Sequence, residues 1–272
     1  MVEVLPRYSA TSTTADLIAR WRERLVSPGS SEAASAAATL LLAQEWARQP
    51  GEEVSVTALN EVAEQDWVRL TQSQFDPVEI TPAFWIVPTW HEPPAQASRV
   101  IRLDPGMAFG TGTHPTTRMC LRWIARRGSG RTPLWPRVLD YGCGSGVLAI
   151  AAGLFGAGAI DAVDIDPAAV EATVANASAN AVAVRAGTAD SLGSGRFDLI
   201  LANILATPLK LLAPLLSTRL APAGTLVLSG ILGTQAAELQ AAYSPWLALD
   251  VADEDDGWIL MAGLRPSPDG VA

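Results

Sequence analysis

From about residue 104 onward, short apolar runs alternate with stretches of helical spacing. Apolar runs at 159–163, 181–185, 197–202, 225–229, 247–251 and 258–264 read as strands, as does the run that ends at Asp140. Segments at 118–124, 147–152, 167–180, 208–220 and 235–243 carry helical spacing instead. Strands and helices taking turns in this way predict an α/β fold, a doubly wound, mostly parallel sheet with helices on both faces. The earlier chain has a different texture. Residues 1–60 are rich in Ala, Ser and Thr, with helices expected at 14–25 and 31–49, the second stopped by Pro50-Gly51. Residues 61–103 turn aromatic and strand-like, with Phe84-Trp85-Ile86-Val87-Pro88-Thr89-Trp90 as the densest part. The expected organisation is therefore a small N-terminal region (1–60), an aromatic strand segment (61–103) and a Rossmann-like domain (104–272). No internal repeat is visible.

One join between strand and helix carries more chemistry than the rest. Val138-Leu139-Asp140-Tyr141-Gly142-Cys143-Gly144-Ser145-Gly146-Val147-Leu148 runs from an apolar strand through an acid and three alternate glycines into an apolar helix. Glycines so spaced allow a backbone to pass close to a ligand. The following helix aims its free N–H groups and positive dipole end at whatever sits above the turn. The next strand ends at Asp164, about twenty residues beyond the glycines, where an acid accepts the hydroxyls of a ribose. A dinucleotide fingerprint needs G-x-G-x-x-G, but Val147 stands at its last glycine; the chain carries G-x-G-x-G. That pattern suits a nucleoside without phosphates better than a pyrophosphate. S-adenosylmethionine is such a ligand, and a carboxylate such as Asp140 would favour its ammonium. The turn points to methyl transfer and away from a nicotinamide-dependent oxidoreductase.

Two further segments bear polar groups. Residues 103–117 form a turn-rich loop containing Phe109-Gly110-Thr111-Gly112-Thr113-His114-Pro115-Thr116-Thr117 and leading into a helix. Pro115 suits the first turn of that helix, and one threonine is explained as its cap. The aromatic and two glycines fit a loop closing over a planar group. Asn203 follows the apolar strand at 197–202, at the carboxyl edge of the sheet, where open α/β folds bind ligands. Taken alone, Asn203 reads equally as a turn residue or a helix cap.

Composition narrows the partners. The formal net charge of −9 argues against broad binding to a nucleic-acid backbone and suits a cationic, lysine-rich protein. The two cysteines, Cys120 and Cys143, make no disulfide framework and fit a reducing compartment. His91 and His114 are the only histidines and no cysteine spacing supplements them, so no metal site is expected. The N-terminus lacks an apolar signal core, and the longest apolar run is too short to span a bilayer, so a cytoplasmic protein is expected.

Together the 108–117 loop, the Asp140 to Gly146 turn, Asp164-Ile165-Asp166-Pro167, Ala202-Asn203-Ile204-Leu205, Gln65-Asp66-Trp67 and the 84–90 segment resemble one family. It is the bacterial methyltransferase of large-subunit ribosomal protein eleven, PrmA, and the resemblance covers about 61–264. It implies a seven-stranded sheet with its last strand antiparallel and S-adenosylmethionine as donor. The acceptors it implies are lysine side chains or the N-terminal α-amine of the ribosomal protein. Carried onto this sequence, the donor contacts are Thr117, Gly142, Gly144, Asp164 and Asn203, with Phe109 close by, and Asn203 positions the acceptor. The opening 60 residues show no strand–helix–strand module of the kind the family begins with. A related methyltransferase acting on another protein lysine or a small amine is therefore the alternative.

Overall fold

The computed structural model describes residues 75–104, 112–128 and 135–267. The chain divides between Leu70 and Thr71, and every described residue falls in the second unit. The helices expected at 14–25 and 31–49, Gln65-Asp66-Trp67 and Phe109 lie outside the described residues.

Three short strands, β1 (Val78–Thr81), β2 (Phe84–Val87) and β3 (Arg99–Arg102), form a small sheet in that order; β2 runs antiparallel to β1 and parallel to β3. The aromatic text predicted strand-like chain here, and within β2 Phe84 and Ile86 are buried together with Ile101. Two side-chain clamps tie this sheet down. Asn180 accepts from the Arg102 backbone N–H at 2.7 Å and donates to the Arg102 carbonyl at 2.8 Å. Asp104 accepts from the backbone N–H and the hydroxyl of Thr89, at 2.7 and 2.8 Å.

The main sheet has seven strands, β4 (Arg137–Tyr141), β5 (Ala159–Val163), β6 (Arg185–Gly187), β7 (Phe197–Asn203), β8 (Leu220–Leu232), β9 (Asp250–Asp255) and β10 (Trp258–Leu264). Their spatial order is β6-β5-β4-β7-β8-β10-β9. The pairs from β6 to β8 are parallel, and β10 is inserted antiparallel between β8 and β9. The expected seven-stranded Rossmann-like sheet with an antiparallel last strand is thus present. Both faces are covered. Helices α1 (Pro115–Arg127), α2 (Val147–Leu154) and α3 (Pro167–Ala179) share one core with the small sheet. Helices α4 (Ala206–Leu211), α5 (Ala213–Arg219) and α6 (Ala236–Tyr243) share the other. Along β7, Leu199 and Leu201 enter the first core while Ile200 and Ala202 enter the second. A strand buried on both faces has no polar side, which is why these strands read as continuous apolar runs.

Four expected elements are displaced. The strand expected at 181–185 is only Arg185–Gly187. Ala181 adopts φ 53° and the Val182 N–H bonds to the Ala177 carbonyl, so those residues close α3 instead. The helix expected at 208–220 is two, parted at Leu212, with a proline in the first turn of the second. The strand expected at 225–229 extends to Leu220–Leu232, because a register shift around Ala223 (φ 58°) lets an irregular Pro-Ala-Gly stretch stay paired. The strand expected at 247–251 is Asp250–Asp255: Leu247 and Leu249 pack into the core before it, and its acids Asp253 and Asp255 pair with Arg118 and Arg122 of α1 at 3.2–3.3 Å. Among the described residues, no helix is long and apolar enough to cross a membrane.

Candidate functional site

Strand order reverses at β4: the chain leaves β4 toward β5 and β6 on one side, then returns to place β7 on the other. Such a switch point leaves a crevice beyond the carboxyl ends of the strands. The glycine turn lies at its floor. The N–H groups of Gly142 and Cys143 donate to the Val163 carbonyl at 2.8 and 3.1 Å, pinning the turn to the end of β5. Gly142 has φ 77°, a region that side chains resist, and a Cβ there would lie 2.4 Å from the Ile204 side chain. Behind the turn, α3 holds the backbone in shape. Thr173 donates to the Gly144 carbonyl at 3.0 Å, and Asn176 donates to the Ser145 carbonyl at 2.8 Å.

Asp140 serves the fold of the turn. It is 1% exposed, and one of its oxygens accepts the Ala149 N–H at 3.0 Å, capping the first turn of α2. Gly146 at the N-cap supplies no side chain for this, so an acid from the strand does it. The other oxygen is buried without a hydrogen-bond partner among the described residues. Burial pushes this carboxyl up to about 7, against the Ala149 hydrogen bond and with a smaller contribution from the nearby Asp164 charge. Cys143 is simply packed: Thr173 lies 3.2 Å from its sulfur, and burial above all holds its thiol at about 12.

Asp164 stands just past β5. One of its oxygens accepts the Gly144 N–H at 2.9 Å and the other accepts the Asp166 N–H at 3.0 Å. A carboxylate oxygen has two acceptor positions, so each retains one after these bonds. Asp166 caps α3 through the Ala168 N–H at 2.9 Å, with Pro167 opening the helix. The roles of the two acids therefore separate: Asp166 serves the helix, and Asp164 couples the end of β5 to the turn. Between them Ile165 is 94% exposed.

On the opposite side of the crevice, Thr117 and Asn203 meet. The Asn203 amide donates to the Thr117 hydroxyl at 3.3 Å. Thr117 is fully buried in the first turn of α1, and Asn203 ends β7. Asn203 is not a helix cap, since α4 begins from Leu205 with no side-chain cap. Nor does a threonine cap α1. His114 is the N-cap, accepting from the Thr116 N–H at 3.3 Å, with its ring edge-on to Trp258 at 5.2 Å. Among the described residues, no cluster of His, Cys, Asp and Glu suits a metal ion.

The structure thus brings Gly142, Gly144 and Asp164 into one hydrogen-bonded unit on one side, and Thr117 and Asn203 into another. Sequence reasoning missed Ile165 and Trp258. Ile165 had a signal: an isoleucine between two acids just past a strand end has no place in a core. Trp258 had none, because only the antiparallel insertion of β10 brings it beside His114.

Comparisons with known proteins agree with this geometry. The family described as ribosomal protein L11 methyltransferase (PrmA) matches residues 21–266, further toward the N-terminus than the motifs above reach. A protein of that name from Polaromonas sp. is 62% identical over 241 residues, covering 88% of this chain and 79% of its own. One from Thiobacillus denitrificans is 53% identical over 205 residues, covering 75% and 68%. Among solved structures, a ribosomal protein L11 methylase from Lactobacillus delbrueckii subsp. bulgaricus superposes with a TM-score of 0.63 at 34% identity, covering 71% of this chain and all of that one. A match across nearly the whole chain, on a fold with this crevice, means that the chain belongs to the ribosomal protein L11 methyltransferase (PrmA) family.

Proposed function

We propose that the chain is an S-adenosylmethionine-dependent N-methyltransferase acting in the cytoplasm on lysine side chains, the N-terminal α-amine, or both, of ribosomal protein L11. The observation that carries the donor assignment is the Asp164 carboxylate, bonded to Gly144 at 2.9 Å and retaining an acceptor position on each oxygen for the ribose hydroxyls. Gly142 and Gly144 let the donor approach the backbone, Ile165 offers an apolar surface to the adenine, and Thr117, in the first turn of α1, bounds the other side; Phe109 is assigned to the donor from its place in the sequence alone.

Bound S-adenosylmethionine supplies a methyl carbon already made electrophilic by its sulfonium. The protein's task is then alignment. With its Nδ2 committed to Thr117, Asn203 has its Oδ1 for a hydrogen bond from the acceptor amine, which aims the nitrogen lone pair along the C–S axis. The donor's sulfur would take the electron pair of the departing methyl, and the protein's part would be to hold the amine in line and let its proton pass to water. Lysine, with a reference pKa near 10.4, attacks only when neutral; desolvation beside a cationic sulfonium favours that form. Asp140 takes no proton from the amine in this scheme, being committed to α2. Residues 1–60 serve acceptor recognition.

The test is transfer of labelled methyl from S-adenosylmethionine to purified L11. Label in L11 is expected; none, with an active preparation that binds donor, overturns the reading.

A further inference from the structure

The donor half of the crevice, over β4 and β5, is accounted for. The half over β7, β8 and β10 is not, and it is built as a rim. Asn203 pairs in register with Ser229, so residues 230–232 of β8 run past the end of β7. There Gly230 (φ 85°) lets the Ile204 backbone approach so closely that a Cβ would lie 2.4 Å from the Ile204 carbonyl oxygen. The chain on each side of this contact exposes a large apolar side chain: Leu205 at 67% and Leu232 at 42%. Leu232 is paired with Trp258, whose ring meets His114, and the His114 carbonyl accepts the Thr117 N–H at 3.1 Å. Thr117 returns to Asn203, so this series of contacts surrounds the proposed positioning amide. Just outside it, the turn from β9 to β10 carries Asp256, exposed and at φ 52°, and the Gly257 carbonyl of that turn accepts the Gly233 N–H at 3.0 Å.

We infer that this rim, formed by Leu205, Leu232, Trp258 and Asp256, is where the protein acceptor docks. It takes the aliphatic stem of the methylated lysine on its apolar members and neighbouring cationic side chains against its acid. Leucines open to water gain by covering a four-carbon stem, whose terminal nitrogen is held at Asn203. Exposed apolar groups rimmed by an acid on a chain of net charge −9 complement a lysine-rich partner. Leu205 and Leu232 have too much exposed surface to be explained by the core alone. The inference rests on the methyltransferase reading above and adds to it the surface that selects the acceptor.

The experiment compares full-length wild type with Leu205→Ser, Leu232→Ser and Asp256→Lys. Methyl-transfer rates are measured against L11 concentration, and donor affinity by calorimetry. Each variant is expected to raise the KM for L11 about fivefold or more, with kcat at saturating L11 and donor Kd near wild type. Asp256→Lys should also flatten the ionic-strength dependence of that KM. Folded variants with wild-type KM overturn the docking surface alone. Variants that lose donor affinity also overturn it, by placing these residues in the donor site. A wild-type protein that binds donor yet leaves L11 unlabelled overturns the methyltransferase reading instead.

Discussion

The amide of Asn203 and the hydroxyl of Thr117, 86 positions apart in sequence, are joined by a 3.3 Å hydrogen bond that links the end of β7 to the first turn of α1. This bond takes the Nδ2 end of the amide and leaves its Oδ1, the atom proposed above to receive the acceptor amine. Thr117→Val keeps the shape and removes the hydroxyl. It should cost about 1 kcal/mol of stability and lower kcat, and a double-mutant cycle with Asn203→Ala should show coupling of about 0.5–1.5 kcal/mol. Asn203→Ala alone should lower kcat about 100-fold, the scale of a misplaced reactant, while donor affinity changes far less. Additive effects of the two substitutions would mean that the bond has no role in positioning.

Asp164 is bonded both to the turn and to the start of α3, so two substitutions separate its roles. Asp164→Ala should weaken S-adenosylmethionine binding by about 1.5–3 kcal/mol, the scale of charged hydrogen bonds. Asp164→Asn keeps one acceptor oxygen and should lose less. Titration calorimetry on both folded variants decides; unchanged affinity in Asp164→Ala removes the residue from the donor site.

Substitution at Gly142 tests the fold before it tests the ligand. Its φ of 77° and the Ile204 side chain 2.4 Å from any added Cβ make even Gly142→Ala unfavourable, by about 1–2 kcal/mol from backbone handedness alone. Adding Ile204→Ala should recover the part due to contact and leave the part due to φ. Urea denaturation of the single and double variants measures the division, and full recovery would show that backbone strain is negligible there.

Asp140 gives stability a pH dependence of definite sign. Folding raises its pKa from 3.8 to about 7, so between those values the folded state holds a proton that the unfolded chain has released. Stability from this group is therefore present at the acidic end and is lost as pH rises toward 7. Asp140→Asn, which cannot titrate, should show a shallower fall in unfolding free energy from about pH 4.5 to 7.5. Parallel profiles for wild type and variant would contradict the shifted carboxyl.

The two ends of the chain should be separable in function. A chain trimmed to begin at Glu61 is expected to bind S-adenosylmethionine with near-native affinity and to methylate L11 poorly. The proposed donor residues all lie between Phe109 and Asn203, whereas acceptor recognition is the role proposed for the lost segment. Donor affinity and turnover measured on the same protein test this. Native turnover would relieve residues 1–60 of any part in recognition.

How far this could be read beforehand follows from where each residue stands. Gly142, Asp164 and Asn203 were legible because each terminates an apolar strand, and strand ends in a parallel sheet mark the ligand edge. The helix starts at Pro115 and Pro167 were legible from proline and its preceding polar residue. The small 181–185 run misled because Ala and Val favour no one element there, and the end of α3 claimed them. The acidic β9 was hidden because its stabilisation comes from Arg118 and Arg122, over 130 residues away. The cap that Asp140 gives α2 was not read from sequence, although the absence of a side chain at Gly146 had already left that helix in need of one.

The antiparallel insertion of β10 also sets the order in which the molecule can be made. The strand is last among the described strands in chain order, yet it stands inside the sheet, between β8 and β9. During synthesis, β8 emerges with one edge open, and β9 follows with no neighbour to pair with. The acids of β9 and the proline within β8 are features that keep waiting edges from joining other chains. Only when residues 258–264 arrive can Trp258 reach His114 and the side of the crevice beyond β7 and β8 take form. The crevice therefore takes its shape only once β10 has joined the sheet, through a long-range pairing step that ranks among the slower events of folding.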